Sequence, residues 1–111
     1  MTGVQTCALP IYNLRRFAAL GLDVAITEAD VRILLPATAV KLQKQAEVYR
    51  RMMQDCLAVT RCVSFTVWGF TDRYSWIPDL QPNAGAACLF DAELGSKPAY
   101  TAVAAALSDT S

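Results

Sequence analysis

The sequence predicts an α/β protein whose strands are parallel and are joined by helices. Two short apolar runs, at residues 23–27 and 62–68, alternate with three segments in which apolar residues recur every three or four positions. The first run is apolar on both faces, as in parallel strands that are covered on both sides. Because such strand–helix–strand units pair in parallel with right-handed crossovers, the order helix, strand, helix, strand, helix indicates an α/β fold.

Each predicted helix has a boundary that its sequence explains. The first helix ends at Gly21, because glycine readily adopts the left-handed conformation of a C-terminal cap. Thr38 is expected to cap the second helix, and Ser96 and Pro98 to begin the third. On the second helix, the predicted packing face consists of Leu42, Ala46, Tyr49, Met53 and Cys56. The faces predicted to meet solvent carry Lys41, Lys44, Glu47, Arg51 and Asp55.

The second predicted strand has two unlike faces. Its aliphatic face is expected to pack on helices and consists of Val63, Phe65 and Val67. The other face consists of Ser64, Thr66 and Trp68. Because small polar groups beside an indole leave room for a bound molecule, this face is the candidate for ligand binding.

The connection after this strand is unusually long. It covers residues 69–95 and contains several prolines and glycines that favour turns. Compact domains seldom carry loops of this length without a functional role. Within it, Asp72 and Arg73 are interpreted as a surface ion pair, worth about 0–1 kcal/mol. The shorter connection at residues 31–37 is also predicted to be an irregular loop.

The charge balance and the length exclude several classes of protein. Ten basic and ten acidic side chains among 111 residues leave no net charge, so no long-range field attracts phosphate backbones or anionic lipid surfaces. No uncharged stretch approaches the ~20 residues of a membrane-spanning helix. We therefore expect one globular unit or part of one, with neither nucleic acid nor a membrane as a partner.

Cysteine and histidine usage argues against a metal site. The chain has no histidine, and its four cysteines form no Cys-x-x-Cys motif, which removes Cys/His zinc sites and His-dependent nucleophiles. We expect no metal and no cofactor. Cys56 and Cys62 flank a helix-to-strand turn, which favours a disulfide, with two buried thiols as the alternative. A disulfide would indicate an exported protein.

The first eleven residues differ from the rest of the chain. Residues 1–11 lack the basic start of a signal peptide, and Pro10 interrupts their apolar stretch. The segment resembles the translation of a DNA-sequencing adapter, which predicts that it is non-native and that the native protein begins near Tyr12. The alternative is an ordinary loop or strand that precedes the first helix.

Two architectures fit this order of elements. A complete (β/α)₈ barrel needs ~250 residues, so two strands would be about a quarter of its strands. A doubly wound sheet is the competing architecture, although neither strand–helix junction carries a glycine-rich phosphate loop. In both architectures functional groups follow the carboxyl ends of strands, which is where Glu28, Asp30, Trp68 and Trp76 would lie.

Several sequence blocks together resemble one known family. They are LGLDVAITEADVR at residues 20–32, LPAT at 35–38, QAEVY at 45–49, CLAVTRC at 56–62, TVWGFTDRYSW at 66–76, LFD at 89–91 and KPAY at 97–100. In this order and spacing they resemble the C-terminal part of glycoside hydrolase family 10, the endo-β-1,4-xylanases. The resemblance covers nearly all of the chain from residue 13 to residue 107.

The resemblance implies a partial (β/α)₈ TIM barrel, in which the two predicted strands are strands 7 and 8. Residues 12–111 would then be the C-terminal part of a catalytic domain that hydrolyses β-1,4 bonds in xylan with retention of configuration. Glu28 matches the nucleophile of the family, and Asp30 matches a supporting acid that pairs with a histidine. Trp68 and Trp76 match the aromatic wall around the cleaved xylose. We expect xylan or xylo-oligosaccharide as the partner of a secreted, monomeric enzyme.

Two parts of the family pattern have no match in this sequence. The family places its acid/base glutamate after strand four within Trp-Asp-x-x-Asn-Glu, and neither that motif nor the histidine expected to pair with Asp30 is present. Retaining hydrolysis needs two carboxyl groups ~5–5.5 Å apart. In addition, Ala29 stands where the family more often has leucine. The competing hypothesis is a catalytically inactive fragment, at most a weak saccharide-stacking surface.

Overall fold

The computed structural model describes residues 10–74 and 83–109 and contains three helices and two strand pairs in that part of the chain. In chain order the elements are α1 (Pro10–Ala19), β1 (Val24–Ala29), β2 (Ile33–Leu34), α2 (Ala39–Ala58), β3 (Cys62–Val67), β4 (Ala84–Gly85) and α3 (Pro98–Ser108). A single 3₁₀ turn, Asp72–Tyr74, follows β3. The strands β1 and β3 pair in parallel, which confirms the predicted α/β class.

The helix boundaries agree with the sequence signals. The side-chain oxygen of Thr38 accepts a hydrogen bond from the Lys41 amide at 3.2 Å and caps α2. Gly21 lies two residues beyond α1 with a φ of +83°, and Pro98 occupies the start of α3. Among the described helices, none combines the length and the apolar character that crossing a membrane requires.

The core lies between the parallel strand pair and helices α2 and α3. Its buried residues are Ala29, Val31, Tyr49, Met52, Met53, Ala99, Val103 and Ala106. Ile26, Phe65 and Val67 pack against this cluster from the sheet. The predicted aliphatic face of β3 is therefore wrong only at Val63, which is 64% exposed. Val63 lies where the β1–β3 register is irregular, so simple alternation does not hold there.

Asp55 contradicts the predicted solvent face of α2. The residue is only 9% exposed, because the first turn of α1 covers this end of α2 and the Ile11 backbone amide hydrogen-bonds the carboxylate. Burial raises the pKa of the Asp55 carboxyl above its ordinary value, whereas Arg51 and the Ile11 amide act in the opposite direction.

A disulfide and an ion pair hold the amino end of the β1–β3 sheet. Cys56 in the last turn of α2 and Cys62 at the start of β3 are joined by a disulfide, with their Cα atoms 5.2 Å apart. Nearby, Arg61 Nη1 lies 3.0 Å from Asp23 Oδ1, and both side chains are exposed. These contacts connect the starts of the two parallel strands across the helix-to-strand turn.

The two connections predicted as irregular loops contain a short antiparallel strand pair. In β2 and β4, Ile33 pairs with Gly85 and Leu34 pairs with Ala84. The pairing joins the segment after β1 to the long connection after β3, and it buries Ile33 completely. Strands of two residues show no hydrophobic periodicity, which is why the sequence did not predict them.

Candidate active site

Glu28 lies in a bulge near the carboxyl end of β1. Between Ile26 and Ala29, β1 has two residues, Thr27 and Glu28, where β3 has one, Thr66. Under strict alternation, the side chain two residues after Ile26 would face the helices as Ile26 does. The extra residue instead leaves Glu28 exposed and returns Ala29 to the core. The bulge therefore leaves the carboxylate exposed, away from the core that Ile26 and Ala29 contact.

Trp68 lies beside this carboxylate strand. Its backbone N–H donates to the Ala29 carbonyl at 3.2 Å, so the indole residue is held next to the residue that follows Glu28. Trp68 is 49% exposed. The exposed side chains of the two strands on this face are short ones: Ala25, Thr27, Ser64 and Thr66. A carboxylate and an indole thus lie near the carboxyl ends of two paired strands, beside short exposed side chains.

Asp30 follows β1 directly and is half-buried, in contrast to Glu28. Burial, the largest cause, and the negative charge of Asp30 both raise the pKa of the Tyr49 phenol far above its usual value. The phenol therefore stays protonated and donates to the Ala87 carbonyl at 2.5 Å. Asp30 therefore lies close enough to the buried phenol for its charge to act on it.

Trp76, the second indole predicted for this site, lies outside the described residues. The structure therefore brings together three of the four predicted site residues: Glu28, Asp30 and Trp68. The predicted disulfide pair, Cys56 and Cys62, lies at the opposite end of the sheet, away from this site.

Asp72 forms a buried ion pair rather than the predicted surface pair with Arg73. Its Oδ2 lies 2.9 Å from the Lys97 ammonium, and the exposed fractions of the two side chains are 14% and 5%. Its Oδ1 accepts a hydrogen bond from the Cys88 amide at 2.8 Å. The sequence reading missed this pair because the partners lie 25 positions apart, which no local pattern reveals.

Gln45 is a further residue that the sequence analysis missed. It is fully buried on α2, and its side-chain amide donates to the Val31 carbonyl at 2.7 Å and to the Ala86 carbonyl at 2.5 Å. Gln45 lies three residues after Leu42 and four before Tyr49, and this spacing could have marked it as part of the packing face. A buried polar residue on an apolar helix face is typically there to satisfy backbone groups.

The described residues offer carboxylate and aromatic chemistry rather than a metal centre. Within residues 10–74 and 83–109, no three His, Cys, Asp or Glu side chains converge as metal ligands would. An exposed carboxylate can act as a nucleophile or exchange protons. A half-exposed indole can pack against the C–H face of a ring and still donate a hydrogen bond from its nitrogen. This pair of groups suits a carbohydrate.

Comparison with protein families gives a match over most of the chain. The model of "Glycosyl hydrolase family 10" matches residues 5–106. A curated relative from Agaricus bisporus, an endo-1,4-beta-xylanase, is 53% identical over 91 residues, which are 82% of this chain and 27% of that protein. An endo-1,4-beta-xylanase 2 from Aureobasidium pullulans is 51% identical over 81% of this chain and 25% of that protein. The chain thus spans about a quarter of the length of these relatives.

Solved structures with the same fold also come from xylanases. Endo-1,4-beta-xylanase XylE of Penicillium canescens superimposes with a TM-score of 0.89 at 40% identity, over 95% of this chain and 33% of that one. Xylanase 10B of Thermotoga petrophila, crystallised with xylobiose, gives a TM-score of 0.85 at 42% identity, over 89% of this chain and 31% of that one.

Proposed function

The chain belongs to glycosyl hydrolase family 10, and on that premise we propose that it carries the nucleophile and the aromatic wall of a retaining endo-1,4-β-xylanase. The observation that supports this most directly is the bulge in β1, which leaves Glu28 exposed one residue before Ala29, the hydrogen-bond partner of Trp68. We name xylan as the substrate because the relatives of this chain are xylanases.

In the proposed reaction, Glu28 attacks the anomeric carbon of a xylose unit in xylan. A bond forms between a carboxylate oxygen and that carbon, and the glycosidic C–O bond breaks. The leaving oxygen takes a proton from a second carboxylic acid, and water later hydrolyses the glycosyl-enzyme with retention. The second acid has no match in this sequence, so it must come from elsewhere in the catalytic domain.

The supporting roles follow from position. Trp68 and Trp76 are proposed to stack on the sugar that is cleaved, because an indole presents an apolar face and a polar nitrogen. Asp30 is proposed to support the nucleophile from its half-buried position directly after β1. In the complete domain, β1 and β3 would be strands 7 and 8 of a (β/α)₈ barrel, in which catalytic groups follow the carboxyl ends of strands.

Further expectations belong to this proposal. Residues 12–111 are the C-terminal part of the catalytic domain, and residues 1–11 are a non-native segment. The enzyme is secreted, in keeping with the Cys56–Cys62 disulfide, since such bonds persist mainly outside reducing compartments. It acts as a monomer and requires no cofactor.

A second candidate function concerns the 111-residue chain by itself. It lacks a match for the acid/base motif and has no histidine, and in its described part β1 and β3 form a sheet of only two strands. These observations favour a chain that is catalytically inactive and at most stacks saccharides weakly. We expect the purified chain to release no reducing sugar from xylan; measurable turnover would refute this second candidate.

The nucleophile can be tested on this chain without the missing acid. A 2-deoxy-2-fluoroxylobioside with a dinitrophenolate leaving group needs no protonation, because the phenolate leaves with its electron pair. We expect the intact mass of the protein to rise by one fluoroglycosyl group, and peptide mapping to locate the adduct on Glu28. Glu28→Gln should abolish the adduct.

Glu47→Gln serves as the matched control, because Glu47 is an exposed glutamate on α2. It should label like the unaltered chain. Labelling on another residue, or labelling that persists in Glu28→Gln, contradicts the assignment of the nucleophile. If no variant labels while xylobiose still binds, the second candidate function is supported instead.

A further inference from the structure

The carbonyl oxygen of Ala86 accepts hydrogen bonds from two buried side chains that come from different parts of the chain. Gln45 Nε2 on α2 donates at 2.5 Å, and Lys97 Nζ, immediately before α3, donates at 2.6 Å. A carbonyl has two lone pairs, so both are used. Ala86 has a φ of +49°, a left-handed conformation that is uncommon for a residue with a Cβ. We call this three-residue arrangement of Gln45, Ala86 and Lys97 the Ala86 junction.

One side of the Ala86 junction leads to Glu28. The Gln45 amide nitrogen also donates to the Val31 carbonyl at 2.7 Å. Val31 is one residue beyond Asp30 and three beyond Glu28, and it is almost fully buried. Gln45 therefore binds the backbone just after the bulged strand β1. Both residues are buried, so water cannot replace this hydrogen bond.

The other side leads to Trp68. The Lys97 ammonium also binds Asp72 Oδ2 at 2.9 Å and the Cys88 carbonyl at 2.7 Å. The Asp72 amide donates to the Phe90 carbonyl at 2.9 Å, and the Phe90 amide donates to the Phe70 carbonyl at 2.9 Å. Through Asp72, Lys97 therefore fixes the segment that begins at Trp68, four residues before Asp72.

The residue types at the Ala86 junction are poor choices for stability alone. Taking an ammonium and a carboxylate out of water is expensive, and apolar residues of similar volume are often as stable or more so. Among the described residues, the Gln45 side-chain oxygen is buried without a hydrogen-bond partner, which costs free energy as well. What these groups provide instead is direction, because each donor must meet several acceptors at once.

We propose that Gln45 and Lys97 are positioning residues, which through the Ala86 carbonyl fix the strand end bearing Glu28 relative to the segment bearing Trp68. Neither residue touches the sugar in this proposal. The proposal rests on the proposed function for the identity of the ligand, but not for the coupling itself, which is a property of the free protein.

The test uses the full chain with Trp76→Phe, so that Trp68 is the only tryptophan. Gln45→Met, Lys97→Met and the double variant remove the polar donors with little change in side-chain volume. The matched control is Cys56→Ala/Cys62→Ala, which destabilises the opposite end of the sheet. Circular dichroism selects conditions in which every variant is folded. Acrylamide quenching of Trp68 is then measured without ligand, and xylotriose is titrated separately into the same variants with Trp76 retained.

We expect quenching of Trp68 to rise up to about twofold in each single variant, because a released loop segment exposes the ring that is now half-covered. Xylotriose affinity should fall roughly 2- to 10-fold, the range of one misplaced aromatic contact. The double variant should show no more quenching and no lower xylotriose affinity than the more strongly affected single variant. Either substitution alone already breaks the shared connection through Ala86. The disulfide control should leave both readouts unchanged.

Additive effects of the two substitutions, or changes equal to those of the disulfide control, would overturn the proposal. So would unchanged quenching in both single variants. If Lys97→Met does not fold, the outcome is decided by comparing Trp68 quenching in Gln45→Met with that in the disulfide control. The absence of xylotriose binding in the parent chain speaks against the proposed function alone, because the quenching measurement needs no sugar.

Discussion

The two ends of the β1–β3 sheet each contain one ion pair of nearly equal length in very different surroundings. At the amino end, Arg61 and Asp23 are 3.0 Å apart and largely exposed. At the carboxyl end, Lys97 and Asp72 are 2.9 Å apart and buried. Distance alone therefore says little about what an ion pair does. The surroundings decide, because water screens the first pair and is excluded from the second.

The remaining contacts at the two ends differ in the same way. The amino end is held by a covalent bond between Cys56 and Cys62, which suits a stabilising role. The carboxyl end is held by directional hydrogen bonds from Gln45, Tyr49 and Lys97 to consecutive carbonyls in one loop. Barrel enzymes place chemistry at the carboxyl ends of their strands and stability at the amino ends. Under the proposed function, the chemistry of this chain would likewise lie at the carboxyl ends of β1 and β3.

The largest effect that we expect from this contrast is at Lys97. Lys97→Met leaves the Asp72 carboxylate buried without its counter-ion, which should lower the free energy of unfolding by about 3–5 kcal/mol. Urea denaturation followed by circular dichroism measures it. A loss no greater than that of Arg61→Met would show that burial does not separate the two ends.

The disulfide comes next. Cys56→Ala/Cys62→Ala should lower the free energy of unfolding by about 2 kcal/mol, because the closed loop is short and the entropy it removes from the unfolded chain is modest. Thermal unfolding of the variant and of the reduced parent chain should agree. If the variant unfolds at the parent's temperature, the amino end does not depend on this bond for stability.

Removal of the α2 cap should have a smaller effect. Thr38→Ala loses the hydrogen bond from the Lys41 amide, and the expected loss is about 1 kcal/mol. Thr38→Ser keeps the accepting oxygen and is the control, which should remain within a few tenths of a kcal/mol of the parent. Urea midpoints distinguish the two variants, and equal losses in both would contradict a capping role.

Asp55→Asn should change stability in a pH-dependent way and by less than the cap, since Arg51 and the Ile11 amide partly offset burial. Because the folded-state pKa of Asp55 is raised, the parent chain loses stability as pH rises from the ordinary value of 3.8 through the raised value. The asparagine variant lacks that loss. The urea midpoint of the variant minus that of the parent should therefore rise as pH increases across this window. A difference that stays constant with pH would contradict the assignment.

The smallest effect should be at the exposed pair. Arg61→Met should cost about 0.5 kcal/mol or less, and the difference from the parent should shrink further at high salt. Urea denaturation at two salt concentrations measures it. A loss comparable to that of Lys97→Met would contradict the contrast between the two ends.

The sequence predicted those features that depend on local signals. Thr38, Gly21 and Pro98 mark helix ends through their own backbone preferences, and both parallel strands were located from their apolar runs. Glu28, Asp30 and Trp68 were placed at the carboxyl ends of strands, where the structure has them.

Features that depend on distant parts of the chain were not predictable in this way. The Asp72–Lys97 pair, the Gln45 hydrogen bonds and the β2–β4 pairing each join segments far apart in sequence. The bulge at Thr27 and Glu28 is also invisible in the sequence, because a one-residue shift in pairing register leaves no mark on composition or periodicity.

That bulge makes the local shape of β1 at Glu28 a matter of chain length as well as of residue identity. An in-frame deletion of the codon for Thr27 would remove the extra residue and leave Glu28 as the single partner of Thr66, so the carboxylate would stay exposed while the strand lost its bulge. Protein engineers could therefore straighten such a strand through a single-codon deletion, without removing its carboxylate.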